Sequence, residues 1–388
     1  MVLAEIFPEA PIYTLLCDYG KWTKIFPRKR IRVSFLQRLP GFLRGRRRWL
    51  LPFLPLAAET LNLRDFDLVI SSSAGFAKGI ITNSRTVHVS YCHTPTRFLW
   101  DLHHFYASRG SKLNLLARPL LHWLRLWDWA AAARVDYFIA NSENTRRRVK
   151  KYYGREAEVI YPPVDPVRNL SDITEKFSGV TKFGCDKTDG EFCSRISNGV
   201  DLDWSVSESS PEEKPQVPFE DYFLIVSRLL SYKRVDLAVQ AFNKLGLPLI
   251  IIGDGPEKCR LEKMAAKNVK FLGAHYGRTK YLYLKHCRAF IFPGDEDFGI
   301  APVEAMMLGR PVLAYRAGGL LESVVEGKTG EFFDEPTTES LVEGLRKLEA
   351  NIKNYDPEFI KNHAQKFGKE RFVKEIKGFV EKVAKSEI

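Results

Sequence analysis

A chain of 388 residues is too long for one ordinary hydrophobic core and indicates two domains of similar size. Its hydrophobic share of 45% and charged share of 27% exclude a disordered protein. The sequence has no long apolar run, and Glu5 and Glu9 stand where a signal peptide would be basic, so we expect neither a membrane-spanning helix nor a signal peptide. None of the six cysteines forms a C-x-x-C pair, which favours reduced thiols in a cytoplasmic protein.

The formal net charge of +12 is unevenly distributed along the chain. Residues 21–48, from Lys21 to Arg48, are rich in Lys and Arg interleaved with Trp, Phe and Leu, and include no acidic residue. This pattern suits an anionic membrane surface, where bases meet lipid headgroups and aromatic rings enter the interface. The alternatives are a solvated basic segment with its own buried face, and a nucleic-acid surface. We favour the inner face of the cell membrane and expect no nucleic-acid partner.

The first half alternates short apolar runs with helical stretches. Strands are predicted at 12–17, 68–72, 87–91, 137–140 and 159–161, and a long helix at about 112–133. Strands that alternate with helices are typical of a parallel, doubly wound sheet. We therefore predict an α/β domain over residues 1–166.

A change of composition separates the two halves. Residues 167–216 are polar, rich in Ser, Gly and Glu, and aperiodic, which predicts a linker or insertion with little order. Strands follow at 221–228, 247–253, 269–273, 288–294 and 310–316, with helices at 235–245, 256–266 and 301–308 between them. These continuous apolar strands predict a second parallel-sheet domain over 217–357. Residues 358–388 read as two amphipathic helices, for which packing back on the first domain is one option.

Two α/β sheets joined by a linker place a cleft between domains, and ligands of such sheets lie beyond the carboxyl ends of the strands. After the strand FLIVS come Arg228 and Lys233, just before a helix. Two cations beside a helix N-terminus make a strong anion site, because free N–H groups and the helix dipole add to their charge. Taken alone, the pair also fits a solvated basic loop.

A glycine turn follows the next strand. Gly253 and Gly255 in G-D-G-P permit a tight turn and a close approach of the backbone to a ligand. The same pattern occurs in ordinary turns. It is not a G-x-G-x-x-G fingerprint, which disfavours a dinucleotide enzyme.

The segment FIFPGDEDFGIAPVEAMMLGRPVLAYRAGG, at 290–319, carries two spaced carboxylates. Glu296 precedes a helix, and Glu304 lies one turn into it; a fully helical spacing would separate them by about 12 Å. That exceeds the roughly 5 Å of a retaining glycosidase pair and suits two hydroxyl-binding tasks along one extended ligand. A rival interpretation takes Asp295, Glu296 and Asp297 as a D-x-D site for Mg²⁺ or Mn²⁺. We favour no metal, because Arg228 and Lys233 can neutralise a diphosphate.

Together these segments resemble the family 4, or group 1, retaining glycosyltransferases. The similarity covers most of the chain and is strongest over 221–333. Its most specific part is the E-x7-E element from Glu296 to Glu304, followed by GRPVLAYRAGG; IVSRLLSYKRVDLAVQAFNKL and IIGDGPE precede it in the family's order. The resemblance implies the GT-B fold, in which two Rossmann-like parallel-sheet domains face a cleft, and it disfavours a resident cofactor.

The resemblance also implies roles for matching residues. Arg228 and Lys233 would bind the donor diphosphate and act in catalysis with Glu296, which would hold hydroxyls of the transferred sugar. Glu304 would accept hydrogen bonds from the ribose. The remaining donor contacts, largely through the backbone, would come from glycines and from the start of the helix: Gly253, Gly255, Phe298, Gly299, Ile300, Gly318 and Gly319.

In the first half, YCHTPTRFLWD resembles the family's segment with a histidine after a strand. His93 is therefore the candidate for contacting the transferred sugar, although a lone histidine is more often structural. Asn141 and Ser142, in ANSENTRRRV, are interpreted as framework or cleft-edge residues.

The family's reaction moves a sugar with retention of configuration from a nucleoside-diphosphate sugar. Of the possible donors we favour GDP-mannose, with a lipid-linked or oligosaccharide acceptor in surface-polysaccharide synthesis. Family members normally begin with a strand and a Gly-rich loop, whereas this sequence starts at what resembles the following helix. The alternatives are therefore a truncated, weakly active binding relative, and a GT-B-type epimerase that converts donor without acceptor.

Overall fold

A computed structural model describes residues 1–45, 49–104, 112–165 and 221–387. The predicted linker at 167–216 and the base-rich end of the segment at 46–48 lie outside these ranges. The chain divides into two compact units. The first unit combines Met1–Pro163 with Phe367–Ile388, and the second is Val164–Lys366.

The elements are numbered here in chain order. The described strands are β1 Ile12–Thr14, β2 Ile31–Val33, β3 Leu68–Ser73, β4 Val87–Cys92, β5 Tyr137–Ala140, β6 Ala157–Val159, β7 Phe223–Val226, β8 Leu249–Ile252, β9 Val269–Gly273, β10 Ala289–Phe292, β11 Val312–Tyr315 and β12 Gly330–Phe333. The described helices are α1 Val2–Ile6, α2 Tyr19–Trp22, α3 Gly41–Gly45, α4 Leu54–Glu59, α5 Lys112–Ala133, α6 Glu143–Tyr153, α7 Val235–Leu245, α8 Lys258–Met264, α9 Gly277–His286, α10 Ile300–Met307, α11 Leu320–Ser323, α12 Thr338–Asn351, α13 Pro357–Gln365 and α14 Lys369–Glu387.

The first unit contains two parallel sheets among its described residues. One has the order β3-β4-β5-β6, and the other pairs β1 with β2. Every residue of β4 is buried, including the polar His88 and Ser90. The strand predicted at 159–161 lies two residues earlier as β6, and β2, inside the basic segment, was not predicted.

The long helix α14 belongs to the first unit although it follows the second unit in sequence. Its Phe372, Ile376 and Phe379 pack in one buried cluster with Val89 and Tyr91 of β4. The shorter helix α13 stays with the second unit, where Pro357 lies against Gly309. The two helices that the sequence grouped as 358–388 are thus divided between the units.

The second unit has one sheet of six parallel strands in the order β12-β11-β10-β7-β8-β9. The chain runs from β7 to β8 and β9 on one side and then crosses to β10 on the other side of β7. The carboxyl ends of β7 and β10 therefore flank a topological switch point, the usual ligand position in such a sheet. The predicted doubly wound α/β class is confirmed; the short strand β12 was not predicted.

The described residues bear on the expected reduced thiols and on the expected lack of a membrane-spanning helix. Cys17, Cys92, Cys259 and Cys287 are free thiols, whereas Cys185 and Cys193 lie outside the described ranges. Over the described part of the chain, no helix is both long enough and apolar enough to cross a membrane.

Candidate active site

The loops after β7 and β10 contact each other at the switch point of the second unit. Lys233, from the first loop, forms an ion pair with Glu296 from the second. A Cβ atom added at Gly294 would lie only 2.8 Å from the Lys233 carbonyl oxygen, so the two backbones run side by side. The structure thus joins two residues that the sequence placed 63 positions apart.

Arg228 and Lys233 present their charges differently. Arg228 is exposed at the end of β7, whereas the Lys233 side chain is largely buried, with its ammonium 5.1 Å from the Tyr232 ring centre. The next residue, Arg234, has a φ of 51° and is the N-cap of α7. A left-handed conformation at a non-glycine residue is strained, and within the described ranges Arg234 alone shows it. An ammonium beside a helix N-terminus is suited to binding an anion.

Gly253 and Gly255 hold the loop of Arg228 in place. A Cβ atom at Gly253 would lie 1.8 Å from the Ser227 carbonyl oxygen, and one at Gly255 would lie 2.3 Å from that of Leu229. The Leu229 amide also donates to the Asp254 carbonyl at 2.9 Å. Glycine is required at these positions because neighbouring backbone atoms leave no room for a side chain. A direct role of these glycines in donor binding stays a prediction.

Gly318 and Gly319 play the same part for the loop of Glu296. Gly318 has a φ of +62°, and a Cβ atom there would lie 2.2 Å from the Glu296 carbonyl oxygen. Gly319 donates its amide to that same oxygen at 2.9 Å. The side chain of Phe298 in this loop is buried, so its predicted contact with the donor would have to come from its backbone.

Helix α10 begins beside this loop without a side-chain cap. Its N-cap, Gly299, has a φ of 87° and no side chain to accept the first amides. Ile300, the first helical residue, is about half exposed. The N-terminal amides of a helix that lacks a capping side chain are suited to phosphate oxygens.

Glu304, one turn into α10, is buried and carries a partner that the sequence did not reveal. Lys280 of α9 donates to both of its carboxylate oxygens, each at 2.8 Å. Two charge-assisted bonds orient the carboxylate and compensate for its burial. An ammonium has three donors, so Lys280 retains one donor for a ligand.

The acidic run after β10 does not form a cluster of oxygen ligands. Glu296 is paired with Lys233, and Asp297 is buried. Among the residues that the structure describes, no group of three or more His, Cys, Asp or Glu side chains is arranged to hold a metal ion. Metal independence stays a prediction.

His93 lies in the first unit, directly after β4. Its ring hydrogen-bonds with the Ser72 hydroxyl at 2.8 Å, and its amide donates to the Ser73 carbonyl at 2.8 Å. Burial, followed by the charge of the amino terminus, lowers the pKa of His93 and favours a neutral imidazole. Ser142 accepts from the Thr145 amide and caps α6, which fits the framework role expected of it.

The loop after His93 is anchored on Asp128, a residue that the sequence analysis missed. Asp128 is fully buried and pairs with the buried Lys78. It also accepts from Thr96 at 2.7 Å and from Trp100 at 2.8 Å, both in the loop, and from Tyr153 of α6 at 2.8 Å. One carboxylate therefore ties the post-strand loop to two helices.

Comparison with known proteins identifies the family. The profile described as Glycosyltransferase Family 4 matches residues 14–168, and that described as Glycosyl transferases group 1 matches residues 207–366. The two matches cover both halves of the chain in the family's order. This chain is a group 1 glycosyltransferase.

This glycosyltransferase is similar to named relatives and to solved structures. It is 25% identical over 310 residues to human alpha-1,3/1,6-mannosyltransferase ALG2, covering 76% of this chain and 68% of ALG2. It is 27% identical over 137 residues to O-antigen chain mannosyltransferase C of Escherichia coli, covering 33% of this chain and 37% of that protein. The crystal structure of Anabaena HepE in complex with UDP-glucose matches with a TM-score of 0.55 and 17% identity, covering 95% of this chain and 99% of HepE.

Sucrose-phosphate synthase from Thermosynechococcus elongatus matches with a TM-score of 0.61 and 14% identity, covering 93% of this chain and 86% of that chain. At these identities the structural matches establish the fold, which is of the GT-B type as predicted. The predicted transferase class is also confirmed.

Proposed function

We propose that this glycosyltransferase moves a hexosyl group from a nucleoside-diphosphate sugar to a hydroxyl acceptor with retention of configuration. The observation that carries the proposal is the contact between the loops of Lys233 and Glu296 at the switch point, beside the N-terminus of α10. This arrangement offers cations to a diphosphate and a carboxylate to sugar hydroxyls within one site. The solved relative HepE binds UDP-glucose, which supports a nucleotide-sugar donor.

The residues divide the chemistry between them. Arg228 and Lys233 stabilise the negative charge that grows on the departing diphosphate, and the first amides of α10 add to their effect. Glu296 accepts from hydroxyls of the transferred sugar, and Glu304, oriented by Lys280, accepts from the ribose. The acceptor hydroxyl attacks the anomeric carbon on the face that the diphosphate leaves, and its proton passes to a phosphate oxygen. His93, whose lowered pKa favours the neutral imidazole, is proposed as a hydrogen-bond partner of the transferred sugar.

Mannose from GDP-mannose is the proposed donor. The support is that relatives matched along both long and short stretches are named as mannosyltransferases. We propose a lipid-linked or oligosaccharide acceptor, with the enzyme bound at the inner face of the cell membrane. Four exposed bases of the basic segment, Arg28, Lys29, Arg32 and Arg38, face solvent and could meet anionic headgroups.

The first experiment measures thermal stabilisation by a panel of nucleoside diphosphates and nucleotide sugars, with and without EDTA. A ligand that binds only the folded protein raises its melting temperature by mass action. We expect GDP and GDP-mannose to stabilise the protein selectively, with no effect of EDTA. Stabilisation by another base corrects the donor, and loss of the effect in EDTA establishes a metal requirement.

Turnover tests the assignment of Arg228. Arg228→Ala should lower transfer by about 10²–10³-fold, the usual effect of losing one charge-stabilising group, without lowering the melting temperature, because the side chain is exposed. Arg346→Ala, an exposed arginine on α12, is the matched control. Unchanged turnover in Arg228→Ala rejects the diphosphate site. Donor conversion in the absence of acceptor would instead indicate an epimerase.

A further inference from the structure

The outward face of α5 in the first unit is apolar. Trp123, Leu126 and Trp129 are exposed on it. At about 100° per residue these three positions share one side of the helix with the exposed Ala130 and Ala133. The opposite side carries the buried Leu124 and Asp128 and packs into the unit. Over residues 118–133 the exposed side has no carboxylate, and its polar residues are Arg118 and His122.

A second set of exposed apolar side chains belongs to a neighbouring element. Trp49, Phe53 and Leu56 lie on and just before α4. Helix α4 is joined to α5 through Glu59, which accepts from Trp127 at 2.7 Å and from Arg134 at 3.0 Å. Trp123 lies one turn before Trp127, so the two sets belong to adjoining parts of the same unit.

These six side chains, Trp49, Phe53, Leu56, Trp123, Leu126 and Trp129, are called the tryptophan face below. Each is between 45% and 67% exposed. Large contiguous apolar patches are uncommon on soluble proteins and usually mark a binding surface. Three tryptophans are typical of a surface at a membrane interface, since the ring is apolar and its N–H reaches the headgroups.

The charge of the surrounding chain favours a lipid bilayer over a protein as the occupant. From residue 19 to residue 58 the sequence has no acidic side chain, and this stretch includes both the exposed bases and half of the tryptophan face. Arg30 is an exception among these bases, because it donates to the carbonyl oxygens of Phe7 and Ala10 and so serves the fold. Exposed bases beside exposed aromatic rings complement anionic headgroups above an acyl layer.

We infer that the tryptophan face inserts into the interfacial layer of an anionic membrane. The exposed bases supply long-range attraction, which salt screens, and the tryptophan face supplies contact that salt does not screen. The inference builds on the membrane attachment proposed above, but the contact is separate from the proposed donor site in the second unit and requires no sugar transfer.

The test is co-sedimentation of the full chain with vesicles of phosphatidylcholine containing phosphatidylglycerol, at low salt and at about 0.5 M salt. The wild type should remain partly bound at high salt, and its tryptophan fluorescence should shift to shorter wavelength. Trp123→Gln combined with Trp129→Gln should weaken binding at high salt by about tenfold or more, because the buried apolar area is lost. Lys29→Glu combined with Arg32→Glu should weaken mainly the salt-sensitive part of the binding.

The matched control is Phe359→Gln, which removes an exposed aromatic ring from the second unit and should leave vesicle binding unchanged. The inference is overturned if the double tryptophan variant binds like the wild type at high salt. It is also overturned if that variant loses several degrees of melting temperature, since the face would then be packed against protein, or if it converts a dimer to a monomer. GDP should stabilise the wild type and the double tryptophan variant equally. A failure of membrane binding is therefore distinguished from a failure of the donor site.

Discussion

The loop after β4 in the first unit and the loops after β7 and β10 in the second unit are held in place by opposite means. In the first unit, side chains from the loop and from two helices converge on the single buried carboxylate of Asp128. In the second unit, Gly253, Gly255 and Gly318 bring backbones so close that no Cβ atom fits. The loop of the first unit is held by side-chain hydrogen bonds to a carboxylate. The loops of the second unit are held by close backbone contacts that only glycine allows.

This difference predicts which changes each unit tolerates. Removing a polar group from the first unit leaves buried partners unsatisfied, whereas adding a methyl group to the second unit pushes its loops apart. The second arrangement keeps side chains out of the loop junctions. Four substitutions test this contrast between the two units.

Asp128→Ala should have the largest effect, because it leaves the buried ammonium of Lys78 without its counter-charge. Breaking a buried ion pair in this way costs about 3–5 kcal/mol of unfolding free energy. Urea denaturation gives the value. Thr96→Val removes one donor and leaves the pair intact, so it should cost only about 1 kcal/mol. Equal losses in the two variants would contradict the central role of Asp128.

Gly318→Ala should destabilise the second unit by about 2–4 kcal/mol, the sum of left-handed strain and overpacking. Its Cβ atom would meet the Glu296 carbonyl oxygen at 2.2 Å. Gly327→Ala is the control, since Gly327 has a φ of +73° but no atom within 4 Å of an added Cβ. The control should lose about 1–2 kcal/mol from strain alone. Denaturant midpoints that fall equally would show that close approach is not what requires Gly318.

His88 makes the stability of the first unit depend on pH. Burial, followed by the charge of Arg134, lowers its pKa from 6.5 to about 4. The unfolded chain then binds more protons than the folded protein between these values, so stability is complete above pH 6.5 and is lost as the pH falls toward 4. We expect His88 to lower the free energy of unfolding by about 2 kcal/mol when the pH falls from 7 to 5.

Urea denaturation of His88→Gln and of the wild type at pH 7 and pH 5 measures the contribution of His88 to the loss of stability. The glutamine side chain does not titrate and can still reach the Ser71 hydroxyl, the hydrogen-bond partner of the His88 ring at 2.8 Å. The variant should therefore lose less stability on acidification than the wild type. An unchanged difference between pH 7 and pH 5 would assign the acid sensitivity to other groups.

Lys280→Ala tests whether Glu304 binds the nucleoside part of the donor, as proposed above. Without its two bonds, the buried carboxylate of Glu304 is no longer oriented, and we expect about tenfold weaker binding of a nucleoside diphosphate. Inorganic pyrophosphate lacks the ribose, so its affinity should stay unchanged and serves as the control ligand. Calorimetry of both ligands decides the point. Equal weakening would place Lys280 at the diphosphate instead.

The sequence predicted most of the second unit because its strands are continuous apolar runs and its helices are strongly periodic. Helix α7 and strand β9 have the predicted bounds. Strand β12 was missed because it starts with glycine and its apolar run is interrupted by Glu331. That charge is buried in the strand and accepts from Tyr355 at 2.9 Å, a contact that depends on the fold.

The features that the sequence analysis missed depend mainly on contacts between residues that are far apart in the sequence. Asp128 and Lys78 are 50 positions apart, and Lys280 and Glu304 are 24 apart, so no local pattern connects them. The role of Arg30 was likewise hidden, because a base that serves neighbouring carbonyls looks like any other base in a basic run. Most of the candidate donor residues were proposed because they lie in loops that follow predicted strands, whereas Ile300 and Glu304 lie in the helix after such a loop.

The position of α14 has a consequence for synthesis. Phe372 and Phe379 complete the core of the first unit, yet a ribosome makes them only after the whole second unit. Val89 and Tyr91 of the nascent first unit therefore lack part of their covering until the last helix leaves the exit tunnel. Domains usually fold in the order of their synthesis, but here the second unit is able to complete its core before the first.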